Sequence, residues 1–170
     1  MTREVDPRDE AVVAAQLGRP PRGVREVAHR CPCGHPDVVT TPPRLPDGTP
    51  FPTLFYLTCP RASSMIGTLE ASGLMGQMSA RLGDDAALAA AYRDAHQRYL
   101  TARDALGEVP EIAGISAGGM PDRVKCLHVL AAQSLAQGRG ANPLGDEVLD
   151  ELGAWWAAGP CVEVGTGDTR

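Results

Sequence analysis

Four side chains with donor atoms for a soft or borderline cation, His29, Cys31, Cys33 and His35, fall within seven consecutive residues. Pro32, Gly34 and Pro36 enforce a turn there. A tetrahedral zinc site favours two cysteines separated by roughly two to four residues, because a loop of that length lets both sulfurs reach one ion. Cys31 and Cys33 are separated by only one residue, so they are poorly spaced to chelate by themselves. A thiolate from this turn needs partners from elsewhere in the chain. Cys59, in Thr58-Cys59-Pro60 at the end of an aromatic segment, is one such partner, since a strand end aims a side chain from a rigid support. The plainer reading of Cys59 is a buried core thiol.

A third segment, Gly118-Gly119-Met120-Pro121-Asp122-Arg123-Val124-Lys125-Cys126-Leu127-His128, offers two chemistries. Its glycines and proline predict exposed N–H groups at a helix start, which attract anions, and Arg123 and Lys125 add positive charge. Arg44, in the proline-rich loop Pro43-Arg44-Leu45-Pro46, is placed either to bind a carboxylate or phosphate or to brace its loop. Cys126 and His128 are potential metal ligands, yet two residues apart on a helix point about 200 degrees apart. On a regular helix they cannot grip one ion together.

Three readings follow. In the first, Cys31, Cys59 and Cys126 are thiolate ligands of a zinc ion or an iron–sulfur cluster, with Cys33, His35 or His128 as the fourth ligand. In the second, Gly118, Gly119, Arg123, Lys125 and Arg44 bind a small phosphate-type anion, and Cys126, close to a helix start and to cations, serves as a nucleophile. In the third, the cysteines are buried and inert and the protein is an interaction scaffold.

Composition narrows the setting. The net charge is −5 and no basic run exceeds a pair, so the electrostatic stripe expected of a nucleic-acid binder is missing. No apolar stretch approaches the roughly 20 residues of a membrane span, and the start lacks the pattern of an export signal. Five cysteines in such a chain predict free thiols in the cytoplasm rather than a disulfide framework. Aromatics are scarce at 4%, so the core must be built mainly from Ala, Leu, Val and Met.

The elements that carry these residues can be read from period and punctuation. Asp6-Pro7 opens a first helix that Gly18 and Pro20-Pro21 close. Short strands are predicted over Val24–Ala28, Val38–Thr41 and Thr53–Thr58. Five prolines between Pro42 and Pro52 exclude a helix from that stretch. Helical spacing begins at Ala62, is interrupted at Gly73, and resumes through Leu82. Asp84 or Asp85 caps the next helix, in which His96 reads as structural. A helix is predicted from Pro121 to about Gln137, and a last one, capped by Asp146, ending near Trp156. The expected architecture is α+β: a small sheet of short strands from the N-terminal third, packed with four to six helices. Residues 1–158 form one domain in this reading, and 159–170, with Cys161, form a loose tail.

Long motifs then carry a resemblance. Arg30-Cys31-Pro32-Cys33-Gly34-His35-Pro36, Thr41-Pro42-Pro43-Arg44-Leu45, Gly48-Thr49-Pro50-Phe51-Pro52-Thr53, Leu57-Thr58-Cys59-Pro60, the Gly118–His128 run and Asn142-Pro143-Leu144-Gly145-Asp146 together resemble the actinobacterial domain-of-unknown-function 501 family. The resemblance covers roughly residues 24 to 150. It implies a cytosolic protein in which the three cysteine segments travel together, and relatives with a histidine near the position of Gln133. It implies no particular reaction.

Overall fold

The computed structural model describes residues 5–165. The first helix, α1 (Pro7–Leu17), forms as its punctuation dictates. The Asp6 carboxylate accepts the Arg8 N–H at 2.7 Å, Pro7 occupies the first turn, and Gly18 closes the helix at a φ of 69°. Three short strands follow, β1 (Glu26–Arg30), β2 (Pro36–Thr40) and β3 (Phe55–Leu57), in an antiparallel sheet of order β1-β2-β3. Among the described residues six α-helices accompany them, so the fold is α+β.

The sheet divides the apolar residues by the two-residue period of a strand. Val38 and Phe55 join the main core, whereas Val39 and Tyr56 face the other way, toward Leu17 of α1. The main core is closed by α2 (Pro60–Ala71), α3 (Leu74–Asp84), α4 (Ala86–Asp104), α5 (Leu127–Gln137) and α6 (Pro143–Leu152). Among the described residues no helix is long and apolar enough to cross a membrane.

The proline-rich stretch before β3 is held by α4. Tyr99 is fully buried, its hydroxyl accepts the Leu54 N–H at 2.6 Å, and its ring meets Phe55 edge-on with centroids 5.6 Å apart. Arg103, also buried, donates to the Pro52 carbonyl at 3.1 Å and the Ile112 carbonyl at 2.8 Å. A segment unable to enter a ladder is thereby fixed by side chains, and β3 acquires a defined place.

Three boundaries differ from expectation. α5 begins at Leu127 and not at Pro121, because residues 121–126 spend their backbone groups on loop contacts: Arg123 N–H bonds the Gly119 carbonyl and Lys125 N–H the Gly118 carbonyl. α6 is capped by Asn142, whose side chain accepts the Leu144 and Gly145 N–H groups, while Asp146 lies inside the helix and bonds the Gly140 N–H. It ends at Leu152 because Gly153 follows. Finally, the segment after residue 158 is packed: Arg61 donates to the Gly159 carbonyl, His35 contacts the Val162 carbonyl, and Cys161 touches the main core. Residues 166–170 of the predicted tail lie outside the described residues.

His96 is buried, with Nδ1 2.7 Å from the Ser116 hydroxyl. Burial lowers its pKa below the ordinary histidine value of 6.5. The unfolded chain therefore binds a proton below pH 6.5 that the folded chain resists, so the unfolded state holds more protons and stability falls with acidification. In chemical denaturation at a series of pH values, the stability advantage of the parent over His96→Gln at pH 7 should shrink toward pH 5, a comparison in which the opposite contribution of other groups cancels.

Candidate metal centre

The late start of α5 decides the geometry of the site. Cys126 stands just before the helix in an extended conformation, with φ −151° and ψ 110°, and His128 sits in its first turn. The helical angle between residues two apart does not apply across this boundary. Cys126 Sγ and His128 Nδ1 lie 3.9 Å apart, so the expectation that the two point away from one another is corrected.

A third residue completes the group. Glu70, near the end of α2, accepts the Leu127 N–H through Oε1 at 2.8 Å and lies 3.0 Å from His128 Nδ1. One ligand atom each from Glu70, Cys126 and His128 falls within 4.8 Å of the others, the only such group of three or more Cys, His, Asp or Glu residues among the described residues. All three side chains are partly buried. His128 Nε2 is 3.0 Å from the Ser63 carbonyl. A carbonyl only accepts, so Nε2 carries hydrogen and Nδ1 is the nitrogen turned to the group. The Cys126 sulfur, and then the Glu70 carboxylate, hold the His128 imidazolium up at about 9 against the opposing cost of burial.

The same contacts account for the predicted anion site. The start of α5 does attract a negative group, and Glu70 of the protein itself supplies it. Gly118 and Gly119 precede the helix by a whole loop, with φ values of 68° and 90°. They are glycines for a packing reason: a Cβ on Gly119 would lie 2.7 Å from the Arg123 carbonyl oxygen. A nucleophile at a Gly-Gly helix start is therefore not the arrangement present. Val124 N–H is taken by the Ser79 hydroxyl and the Arg123 carbonyl by Tyr92. Arg44 donates to both Glu111 carboxylate oxygens, at 2.9 and 2.7 Å, and to the Gly48 carbonyl, which braces its loop.

The remaining predicted ligands lie elsewhere. Cys31, Cys33 and His35 form the β1–β2 turn, closed by the Cys31 N–H to the His35 carbonyl and the Gly34 N–H to the Cys31 carbonyl. Burial pushes the Cys31 thiol up to about 12. Cys59 lies two residues beyond β3, at the cap of α2 and within the core, and is pushed up to about 11, first by burial and then by the neighbouring Cys161 sulfur. Gln16 of α1 reaches both Cys161 Sγ at 3.3 Å and the Pro36 carbonyl at 2.6 Å. The sulfurs of Cys31 and Cys59 do not join Cys126 in the three-ligand group. Gln133, near which the family resemblance implies a histidine in relatives, is wholly buried and bonds the Ala95 carbonyl, Gln137 and Asn142.

Sequence reasoning missed Glu70. A single glutamate in a helix carries no spacing signal, and its partners lie 57 and 58 positions away.

A cleft of about 310 Å³ opens beside the group, lined by Thr53, Phe55, Tyr56, Leu57, Ser63, Cys126, His128 and Val129. Three protein donors of mixed sulfur, nitrogen and oxygen type, next to a cleft, suit a zinc-type cation that keeps one position for water or a ligand. An iron–sulfur cluster asks for several thiolates, and this group has one.

Comparison with known proteins places the chain without assigning it a reaction. No curated protein and no solved structure matches it. One family matches residues 27–150, a span that contains Glu70, Cys126 and His128 and leaves out α1 and Cys161. The match covers well over half the chain, which therefore belongs to the family described as "Protein of unknown function (DUF501)".

Proposed function

We propose that the protein binds a single zinc-type divalent cation through Cys126 Sγ, His128 Nδ1 and Glu70 Oε1, with a fourth position facing the cleft. The observation that carries this reading is the approach of these three atoms to within 4.8 Å of one another. The hydrogen bond from His128 Nε2 to the Ser63 carbonyl supports it, because metal-bound histidines commonly donate their other nitrogen to a carbonyl or carboxylate that fixes the ring. Glu70 is itself oriented by the Leu127 N–H. All five cysteines are free, which supports a reducing, cytoplasmic setting in which a thiolate ligand survives.

The Cys126–His128 contact favours one rival, a cysteine nucleophile paired with an imidazolium. The two separate cleanly. Protein purified under reducing, oxygen-free conditions should carry about one zinc per chain by elemental analysis, or take up one after chelation and dialysis. Acid-labile sulfide should be absent. Zinc near zero by both routes sinks the metal reading. Rapid alkylation of Cys126 that zinc fails to suppress would transfer support to the nucleophile.

A further inference from the structure

We propose that the cleft takes an extended peptide, laid as an added strand along the outer edge of β3, with a carbonyl or carboxylate oxygen of that peptide on the metal. This rests on the metal reading above and goes beyond it by naming the class of ligand. The sheet order leaves β3 with a neighbour on one side only. On that inner side the Thr41 N–H meets the Leu54 carbonyl and the Thr58 N–H meets the Asp37 carbonyl. Main-chain groups alternate in direction along an antiparallel strand. Tyr56 therefore faces β2, paired with Val39, and Phe55 and Leu57 turn their groups outward.

The outward side is the wall of the cleft. Phe55, Tyr56 and Leu57 all line it, although successive side chains of a strand point to opposite faces. Three consecutive residues can border one cavity only when the strand presents its edge. The Leu54 N–H, just before the strand, is taken by the buried Tyr99 hydroxyl at 2.6 Å. The Leu57 N–H, the Leu57 carbonyl and the Phe55 carbonyl have no hydrogen-bond partner among the described residues. A donor and acceptor at this spacing match another extended backbone.

The opposite edge of the sheet is guarded. β1 carries two register irregularities and the charged ends Glu26 and Arg30, devices that discourage strand pairing. β3 reads Phe-Tyr-Leu with no charge. Its uncharged edge runs beside Cys126 and His128, so a chain paired with Leu57 passes the metal position.

The test uses the full-length, zinc-loaded protein and three kinds of hydroxamate, a group that binds zinc through its oxygens. The probes are acetohydroxamate, the peptide acetyl-Ala-Leu-Val-Ala-hydroxamate, and two versions of that peptide N-methylated on alternate amides. Zinc content is measured in every sample. The unmodified peptide should bind at least about tenfold tighter than acetohydroxamate, the gain expected of two main-chain hydrogen bonds at their usual net strength. One methylated version should fall back to the acetohydroxamate level and the other should not, because only alternate amides face a neighbouring strand. Equal affinity for all probes on zinc-loaded protein would overturn strand addition and leave the metal reading intact. Protein that holds no zinc fails the metal reading, and the peptide proposal falls with it.

Discussion

Replacing Cys126 with serine should abolish stoichiometric zinc binding. A thiolate is the softest donor in the group, and its loss should weaken affinity by more than the roughly 10–100-fold that removal of an outer-shell partner costs. His128→Ala should do the same, and Glu70→Gln should weaken binding while keeping an acceptor for the Leu127 N–H at 2.8 Å. The stability readout follows from mass action. Zinc at about 1,000 times its dissociation constant stabilises the folded state by about 4 kcal/mol. In a domain of this size each kcal/mol moves Tm by about 2–4 °C, so added zinc should raise Tm by roughly 8–16 °C in the parent chain and by almost nothing in Cys126→Ser. Cys31→Ser and Cys59→Ser serve as contrasts. Both thiols are buried and outside the group, so these variants should lose stability but keep the zinc-induced rise. A parent protein whose Tm ignores zinc, or a Cys126→Ser variant that still gains 8 °C or more, contradicts the assignment.

How much of this site the sequence disclosed depends on distance along the chain. Cys126 and His128 stood out because rare residue types clustered with glycine and proline. Helical geometry sets the two apart only if the helix already runs through Cys126, and it does not, because α5 begins at Leu127. Whether residues 121–126 are helix or loop depends on contacts with Ser79, Tyr92 and Glu70, none of which is local. Glu70 was invisible for the same reason. The turn at Cys31 is equally conspicuous, yet its cysteines are not among the three residues that gather at the start of α5. Cysteine type marks a candidate and tertiary contact decides its use.

The fold was more legible, since its cues are short-range. Asp6-Pro7 and Gly18 bounded α1, prolines excluded a helix before β3, and Asp85 capped α4 through the Leu88 N–H at 3.0 Å. The sequence places the cap of the last helix at Asp146, whereas Asn142 holds it with Pro143 in the first turn, because both residue types cap well and local preference alone does not separate them. The sequence around Cys161 lacks periodicity and reads as a loose tail. Its partners, Gln16 and Cys59, lie 145 and 102 positions earlier.

The residue that seats α5 and thereby presents Cys126 and His128 is Gly145, and its replacement by alanine should be among the most damaging single-atom additions in the chain. Alanine for glycine within a helix ordinarily gains about 1 kcal/mol. Gly145 lies in α6 where that helix meets α5, and a Cβ there would overlap the Leu130 carbonyl oxygen and crowd Ser134 Oγ, at 2.5 Å. The first obstacle is backbone, which cannot rotate aside, and the Ser134 hydroxyl is already committed to the Asn142 carbonyl at 3.0 Å. Relief requires the two helices to separate, which loosens contacts among the buried residues Leu127, Leu130, Leu144 and Val148. The net cost should be about 3 kcal/mol, the upper end of ordinary overpacking, or roughly a 6–12 °C fall in Tm. Gly76→Ala in α3 supplies the control, because a Cβ there meets nothing within 4 Å. It should hold or raise Tm. The folded fraction of Gly145→Ala should also bind zinc more weakly, since a displaced α5 moves Leu127 and His128 relative to Glu70. Unchanged zinc affinity and Tm in Gly145→Ala would mean that the α5–α6 contact does not set the position of the site.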